Sequence, residues 1–292
     1  MFNRNMAIIL FILIIFMSGG HHIGILIVHG IDFDWSMGKT SVLLSAISYC
    51  SDDTLREFQF RGDAESFNLT KIIHATPHDI HGFIGYRPLD KKIYVVFRGT
   101  HTPLNIKDDI EFVLTEYPEC VGCKVHEGFY HAKETIISEV LSEIIRLTSL
   151  LSSYQIIVTG HSLGAAVATL IGVDLIQKNI SLSSQLTLIT FGCPRVGNRN
   201  TAIFLSSLYS PEHRFRVTHM RDPVPHLPFP IQGYMHMAGE WYYDDVNIRA
   251  CEGYEDKTCS QKWRIWYITD HLYYLNVILT CNQHWLPTEM EL

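Results

Sequence analysis

The chain has 292 residues, of which 47% are hydrophobic, 12% aromatic and 18% charged. This composition excludes an intrinsically disordered chain, which combines few apolar residues with a high net charge, and a coiled coil, which is rich in Glu and Lys. The 23 basic and 30 acidic residues give a formal net charge of −7. A nucleic-acid-binding protein that relies on a basic surface is therefore not expected. The seven cysteines are an odd number.

The N-terminal residues 1–20 have the features of a secretory signal peptide. Arg4 precedes the unbroken apolar run Met6–Met17, and the small residues Ser18-Gly19-Gly20 follow it as a candidate cleavage site. The run is shorter than the roughly 20 residues that a membrane-spanning helix requires. Because Ile23–Val28 is apolar again, an uncleaved membrane anchor is the alternative.

No linker, low-complexity tract or internal repeat divides residues 21–292, which we predict to form a single domain. Entry into the secretory pathway implies an extracellular protein. It also makes Asn68 and Asn179 candidate glycosylation sites, because each begins an Asn-x-Ser/Thr triplet.

Three short apolar runs have the composition of buried strands, namely Ile93–Phe97, Gln155–Thr159 and Leu186–Phe191. A helical pattern separates the first two, since apolar residues recur with a 3.6-residue period from Ile136 to Ile145. The apolar stretch Ala165–Ile176 separates the second and third. Strands that are apolar along their length and alternate with helices indicate a parallel or mixed sheet covered on both faces. The predicted fold class is therefore α/β, with a mostly parallel central sheet.

A nucleophile motif lies where the second strand meets the second helix. Gly160-His161-Ser162-Leu163-Gly164 has the G-x-S-x-G pattern, in which a sharp strand-to-helix turn exposes a serine at the edge of the sheet. Backbone N–H groups at the start of the helix can stabilise negative charge there. A glycine-rich turn with an incidental serine is the alternative, but the flanking strand and helix favour a nucleophile.

A nucleophilic serine needs a base, and the base needs an orienting carboxylate. In this arrangement the order along the chain is serine, acid, histidine. Asp222 follows a fourth predicted strand, Arg214–Met220, in a loop stiffened by Pro223 and Pro225. A solvated turn aspartate is the alternative for this residue. Asp174 falls inside the helix that follows the serine, which makes it a poor candidate.

His271 is the best placed of the histidines that follow the candidate acid, because it begins an apolar, helix-like segment, residues 271–279. A histidine at the junction of a loop and a helix can enter a cleft. A strand-like stretch, Tyr234–Tyr243, contains one of the competitors. The competing histidines are His226, His236 and His284.

Six motifs in order resemble those of the fungal-type (class 3) lipases of the α/β-hydrolase superfamily. The resemblance extends over about residues 45–285, nearly the whole chain after the signal peptide. The motifs are Phe97-Arg98-Gly99-Thr100, Val125-His126-Glu127-Gly128-Phe129, Gly160-His161-Ser162-Leu163-Gly164, Phe191-Gly192-Cys193-Pro194-Arg195-Val196-Gly197-Asn198, Arg221-Asp222-Pro223-Val224-Pro225-His226-Leu227-Pro228 and Asp270-His271-Leu272.

The resemblance implies an α/β-hydrolase fold and acyl transfer by a catalytic triad of Ser162, Asp222 and His271, in agreement with the positional argument. His271 takes the proton of Ser162 as the serine oxygen attacks an ester carbonyl, and water then releases the acid. The implied oxyanion hole consists of the Leu163 N–H and of the N–H and hydroxyl of Thr100. No metal or organic cofactor is required, and no obligate protein partner is evident.

The segment after Thr100 occupies the position of the lid in similar lipases, whose apolar face closes over the site in water and opens on a lipid surface. Its apolar residues fall at helix spacing on one face, although a surface helix packed permanently on the core is the alternative. They are Ile106, Ile110, Val113 and Leu114. The implied substrates are tri- and other acylglycerols at a lipid–water interface. The alternatives are feruloyl esters, phospholipids or lysophospholipids, and a lipid-binding protein without catalysis.

For a secreted hydrolase the resemblance further implies the disulfides Cys50–Cys281, Cys120–Cys123 and Cys251–Cys259. Cys193 then remains as a buried free thiol, which accounts for the odd cysteine. By itself, the C-x-x-C spacing at Cys120 also suggests a zinc or redox site, but the signal is weak without a second such pair.

Overall fold

A computed structural model describes residues 31–76, 79–100 and 112–281. The chain divides into two units at Asp32, and the elements below belong to the second unit, Phe33–Leu292. The predicted signal peptide and the alternative anchor lie outside the described residues. Within the described ranges, no helix has the length and apolar character needed to cross a lipid bilayer.

Strands and helices alternate through the middle of the chain. The strands are β1 (Asn68–Ala75), β2 (Ile80–Arg87), β3 (Lys92–Phe97), β4 (Leu114–Glu116), β5 (Lys124–His126), β6 (Gln155–His161), β7 (Leu186–Phe191), β8 (Gly197–Asn198), β9 (Arg214–His219), β10 (Tyr234–Met235), β11 (Glu240–Tyr243), β12 (Ile248–Ala250), β13 (Tyr273–Tyr274) and β14 (Val277–Ile278). The α-helices are α1 (Trp35–Ile47), α2 (Asp52–Glu57), α3 (Glu127–Leu150), α4 (Leu163–Gln177), α5 (Arg199–Leu208) and α6 (Ile268–His271).

The central sheet has eight strands in the order β1-β2-β3-β6-β7-β9-β11-β12. Strands β3, β6, β7, β9 and β11 pair in parallel. The outer strands β1, β2 and β12 pair antiparallel. The predicted α/β class with a mostly parallel sheet is confirmed.

Both faces of the sheet are covered, as strand β3 illustrates. Because side chains of a strand point alternately to its two faces, Ile93 and Val95 pack in one core with α3 and α4, whereas Tyr94 and Val96 pack in another with α1. A strand buried on both faces has no polar side, which explains why its sequence is continuously apolar.

The helix-like segment 271–279 is a hairpin, so its predicted helical structure was wrong. Helix α6 ends at His271, and β13 and β14 then pair antiparallel, with Tyr274 opposite Val277. Leu275 and Asn276 between them have positive φ angles of 48° and 67°. This is the backbone of a two-residue type I′ turn, so the apolar residues lie on a hairpin.

The predicted single strand Tyr234–Tyr243 is also wrong, because it forms two strands in different sheets. Strand β10 belongs to a four-stranded sheet of order β10-β8-β5-β4, and β11 belongs to the central sheet. Gly239 lies between them with a φ of 94°, and a Cβ at this position would lie 2.7 Å from Arg214 Nε. The chain therefore changes sheets at a residue where only glycine fits without strain.

All three implied disulfides are present, which confirms the predicted pairing. Cys50–Cys281 joins residues 231 positions apart in the sequence, with Cα atoms 4.7 Å apart. Cys193 is the free, buried cysteine, as predicted. Burial raises the pKa of its thiol to about 12, so the thiol stays protonated near neutral pH.

Candidate active site

Ser162 occupies the sharp turn between β6 and α4, with a backbone φ of 59° and ψ of −129°. The flanking glycines make this turn sterically feasible. A Cβ on Gly160 would lie 2.6 Å from the Gly164 carbonyl oxygen, and a Cβ on Gly164 would lie 2.3 Å from the Arg98 carbonyl oxygen. A positive φ at a serine indicates backbone strain of the kind that concentrates at functional sites.

The structure brings Asp222 and His271 together although they lie 49 residues apart. His271 Nδ1 donates to Asp222 Oδ2 at 2.9 Å, and the Val224 N–H donates to Asp222 Oδ1 at 2.8 Å. The Tyr274 hydroxyl donates to Asp222 Oδ2 as well. Gly192 lies against this pair, because a Cβ on it would be 2.8 Å from Asp222 Oδ2 and 2.9 Å from His271 Nδ1.

The two side chains that would transfer the proton are both buried. Ser162 is 1% exposed and His271 is 0% exposed. Ser162 Oγ and His271 Nε2 have no hydrogen-bond partner among the described residues. Because the Asp222 carboxylate accepts the Nδ1 proton, the lone pair of the ring is on Nε2. The neutral ring can therefore accept a proton at Nε2.

The residues predicted to form the oxyanion hole lie next to the serine turn. Leu163 is the first residue of α4, where backbone N–H groups lack partners within the helix. Thr100 follows Gly99, and a Cβ on Gly99 would lie 2.7 Å from the Ser162 Cβ. Thr100 Oγ1 is buried and has no hydrogen-bond partner in the described part of the chain.

A chain of hydrogen bonds links this loop to the backbone of His271. The Gly99 N–H donates to the Tyr49 hydroxyl at 3.0 Å, and Tyr49 Oη lies 2.6 Å from His161 Nδ1. His161 Nε2 lies 2.8 Å from the His271 carbonyl oxygen. Burial, followed by the nearby His271, lowers the pKa of His161 well below its usual value. In the neutral ring, Nε2 donates to the carbonyl and Nδ1 accepts from Tyr49.

A second histidine, His219, forms a hydrogen bond with the backbone carbonyl of the preceding residue, Asp270. His219 Nδ1 lies 2.8 Å from the Asp270 carbonyl oxygen, and its Nε2 lies 2.7 Å from Asp245 Oδ1. The carbonyl groups of two consecutive residues, Asp270 and His271, are thus each bound by a buried histidine ring. Tyr49, Tyr274 and these two rings were not singled out from the sequence as parts of the site.

The other candidate residues have other contacts. Asp174 is inside α4 and forms ion pairs with Lys133 and Lys178. His236 Nε2 lies 2.7 Å from the Pro225 carbonyl oxygen. The His226 ring lies 4.8 Å from the ring of Trp266, and His284 is outside the described residues.

Buried neutral histidines make the folded chain sensitive to acid. Burial, and then Arg195, lowers the pKa of His226 to about 4, and burial lowers the pKa values of His161 and His236 well below the usual value. In the unfolded chain each ring takes up a proton below about pH 6.5. The unfolded state then binds more protons than the folded state. The free energy of unfolding therefore decreases as the pH is lowered, by up to about 1.4 kcal/mol per pH unit for each ring.

Urea unfolding at pH 7, 6 and 5 measures how the free energy of unfolding depends on pH. The contribution of His226 to this dependence ends only near pH 4, where the ring in the folded protein also takes up a proton. The variant His236→Gln is expected to show a shallower slope because one titrating ring is removed. A free energy of unfolding that is constant from pH 7 to pH 5 would contradict the neutral burial of these rings.

The predicted lid is only partly described. Ile106 and Ile110 lie outside the described residues. Val113 is exposed and precedes β4, and Leu114 is the first residue of that strand, opposite His126 of β5. The predicted helical face was therefore wrong at Leu114, because this residue pairs in a sheet.

One group of potential metal ligands occurs in the described part of the chain, formed by Glu240, Cys251 and Cys259. The two sulfur atoms form a disulfide, so neither can bind a metal as a thiolate. Glu240 already binds Arg216 and Thr218.

The chain matches the family model described as "Lipase (class 3)" over residues 94–232. A lipase of Rhizopus niveus is 36% identical over 204 residues, which is 68% of this chain and 52% of that protein. The secreted mono- and diacylglycerol lipase A of Penicillium cyclopium is 31% identical over 198 residues, 68% of this chain and 62% of that protein. The match thus spans little more than half the length of these relatives.

A solved structure of the triacylglyceride lipase of Rhizomucor miehei aligns with a TM-score of 0.78 at 31% identity. The alignment covers 83% of this chain and 94% of that one. The central sheet and the serine turn before α4 define an α/β-hydrolase. Within that superfamily, the chain belongs to the class 3 lipase family.

Proposed function

We propose that this protein is a secreted serine hydrolase that cleaves carboxylic esters of acylglycerols through an acyl-enzyme on Ser162. The observation that carries the proposal is that Ser162 Oγ and His271 Nε2 are both buried and that neither has a hydrogen-bond partner among the described residues. It is supported by the Asp222 carboxylate bound to the opposite ring nitrogen. This is the arrangement that activates a serine by a general base and orients the base by an acid.

In the proposed reaction, His271 Nε2 accepts the proton of Ser162 as Oγ attacks the ester carbonyl carbon. Asp222 stabilises the imidazolium that forms, and the ring then donates its proton to the departing alcohol. A water molecule attacks the acyl-enzyme in the same way and releases the fatty acid. His161 and His219 form hydrogen bonds with the backbone carbonyl oxygens of His271 and Asp270, and these bonds keep the His271 ring in position throughout.

The Thr100 hydroxyl is proposed to stabilise the oxyanion together with the Leu163 N–H. We expect Thr100→Val to lower kcat by about a hundredfold or more with little change in KM, because such a donor acts on charge that develops only in the transition state. Thr100→Ser keeps the hydroxyl and should retain most of the activity. An unchanged kcat in Thr100→Val, measured on a soluble nitrophenyl ester, would remove Thr100 from this role.

Tyr49 is proposed to be a positioning residue, since it reaches the reacting groups only through Gly99 and His161. Tyr49→Phe removes one acceptor and one donor from two buried groups, so we expect kcat to fall about tenfold while KM changes little. Tyr94→Phe is the matched control, because this buried tyrosine donates to Asp90 at 2.8 Å away from the site. Equal losses of kcat in both variants would show a purely structural effect.

The substrate class is tested by measuring rates on emulsified triolein, monoolein and methyl ferulate side by side. The names of the relatives favour acylglycerols, so we expect both glycerides to be hydrolysed faster than the ferulate. We further propose that the segment between Thr100 and Leu114 is the lid, which predicts a disproportionate rise in rate above the solubility limit of the substrate. If methyl ferulate were hydrolysed faster than both glycerides, the result would favour a feruloyl esterase.

Secretion is supported by the three disulfides, which persist in oxidising compartments. Asn68 and Asn179 are both exposed and therefore accessible to glycosylation. We propose that residues 1–20 are removed on export. The mass of the protein in the medium, before and after treatment with a glycosidase, tests both points.

A further inference from the structure

The surface segment Lys262–Tyr267 combines cationic and aromatic side chains. Ile265, Trp266 and Tyr267 are 66%, 39% and 48% exposed. Lys262 and Arg264 are exposed as well, and neither forms an ion pair with a carboxylate in the described ranges. Exposed large apolar side chains in a contiguous patch indicate an interaction surface rather than a solvated loop.

The segment is fixed to the catalytic loops. The Tyr267 N–H donates to the carbonyl oxygen of Arg221 at 3.0 Å, and Arg221 directly precedes Asp222. The Trp263 indole N–H donates to the Tyr242 hydroxyl at 3.0 Å. The disulfide Cys251–Cys259 closes the loop that leads into the segment. A ligand bound to this segment would therefore lie at a defined position relative to the active site.

Cations and aromatic rings alternate along this surface. The Arg221 guanidinium lies 4.5 Å from the ring centre of Trp263 and 5.2 Å from that of Tyr267. Lys262 Nζ lies 4.9 Å from the ring centre of Trp263 and 4.4 Å from that of Tyr242. Cation–π contacts hold these groups in place without neutralising their charge.

The charge of the whole chain restricts which partner this segment fits. With a net charge of −7, the molecule as a whole is repelled by an anionic surface, so only a local group of cations can direct its binding. The positive charge of Lys262 is partly compensated by the Asp244 carboxylate. The hydrogen bond from the Asn247 N–H lowers the pKa of Asp244 most, and the charge of Lys262 lowers it further. Arg264 forms no ion pair with a carboxylate of the described residues.

We propose that the Lys262–Tyr267 segment docks the protein on a lipid surface that contains anionic phospholipids. Lys262 and Arg264 bind the phosphate groups, and Trp266 and Tyr267 enter the interfacial region. Tryptophan and tyrosine favour this region because one end of each side chain is apolar and the other polar. Basic residues near an anionic leaflet are attracted to it. This rests on the proposed function, since a lipid hydrolase must reach its substrate at a surface.

The test measures binding to vesicles of phosphatidylcholine, with and without 30% phosphatidylglycerol, by sedimentation. Every protein carries Ser162→Ala, so that binding is measured without turnover and a failure of docking is distinct from a failure of catalysis. The test variants are Lys262→Gln/Arg264→Gln and Trp266→Ala. The matched controls are Lys39→Gln/Lys91→Gln, which changes the charge equally at two exposed lysines, and Trp35→Ala, at a tryptophan that is 41% exposed. All variants share one N-terminus, and circular dichroism verifies their folding.

We expect binding to the anionic vesicles to weaken about 25-fold in Lys262→Gln/Arg264→Gln, or about fivefold for each charge, and not in Lys39→Gln/Lys91→Gln. Trp266→Ala should also weaken binding, whereas Trp35→Ala should not. Equal affinity of the parent for both kinds of vesicle would overturn the proposal, because the lipid charge would then have no role. Equal weakening in the test and control pairs would overturn it as well.

Discussion

Ser162→Ala is expected to lower kcat for ester hydrolysis by about a millionfold, the typical effect of removing the nucleophile of a serine hydrolase. Stability should change little. Alanine keeps the Cβ of serine, so the strain of the positive φ at this position is the same in both proteins. The atom removed, Oγ, has no hydrogen-bond partner among the described residues, so no buried partner is left unsatisfied.

Ser41→Ala is the matched control for this change. Ser41 is also buried, and its Oγ has no partner within the described ranges, but it lies in α1. Activity on a soluble nitrophenyl ester and the thermal unfolding midpoint should be measured for both variants. Comparable activity in Ser162→Ala and Ser41→Ala would rule out Ser162 as the nucleophile.

Asp222→Asn is expected to lower kcat by about ten-thousandfold, because it changes the tautomer of His271. Asp222 Oδ1 accepts from the Val224 N–H, and Oδ2 accepts from His271 Nδ1 and Tyr274. Burial and the charge of Asp222 raise the pKa of Tyr274 well above its usual value, so its hydroxyl remains a donor. If the asparagine oxygen takes the place of Oδ1, its NH2 group faces His271 Nδ1. The ring proton then moves to Nε2, which can no longer accept the proton of Ser162.

Two comparisons separate this explanation from a general loss of structure. Tyr274→Phe removes one donor to Asp222 but leaves the tautomer of His271 unchanged, so its loss of kcat should be far smaller. The double variant Ser162→Ala/Asp222→Asn should be no less active than Ser162→Ala alone, because residues that act as a unit have non-additive effects. A value of kcat in Asp222→Asn within tenfold of the parent would contradict the proposed role of the acid.

The central part of the fold could be predicted because its sequence pattern is local. Strands β3, β6 and β7 are apolar at successive positions, and α3 shows the periodicity of a helix with one buried face. Helix α1 was not predicted because it is buried on several sides. Its buried residues include small polar ones such as Ser41 and Ser45. A helix without a polar face lacks the 3.6-residue pattern on which sequence reasoning depends.

The candidate site was predictable where chemistry limits the choice of residue. The glycines around Ser162 are required by close backbone contacts, and Asp222 lies in a proline-stiffened loop just beyond β9. The order of the three residues left four histidines open, and the family motif around Asp270 and His271 pointed to one of them. His271 does bind Asp222 in the structure, although the segment that follows it was predicted wrongly as a helix.

The supporting hydrogen bonds could not be predicted in the same way. Tyr49 and His161 are 112 residues apart, and neither shows in the sequence that it binds the other. The donation from Tyr274 depends on the hairpin after His271, which a helix would not have produced. Such contacts follow from the packed fold rather than from a motif.

Fatty acid release from emulsified triolein, titrated at constant pH for the parent protein and for Ser162→Ala, tests the central claim most directly. The proposed function predicts steady release by the parent and no release above background by Ser162→Ala, with both proteins folded. Release by both proteins at the same rate, or by neither while methyl ferulate is hydrolysed, would contradict it.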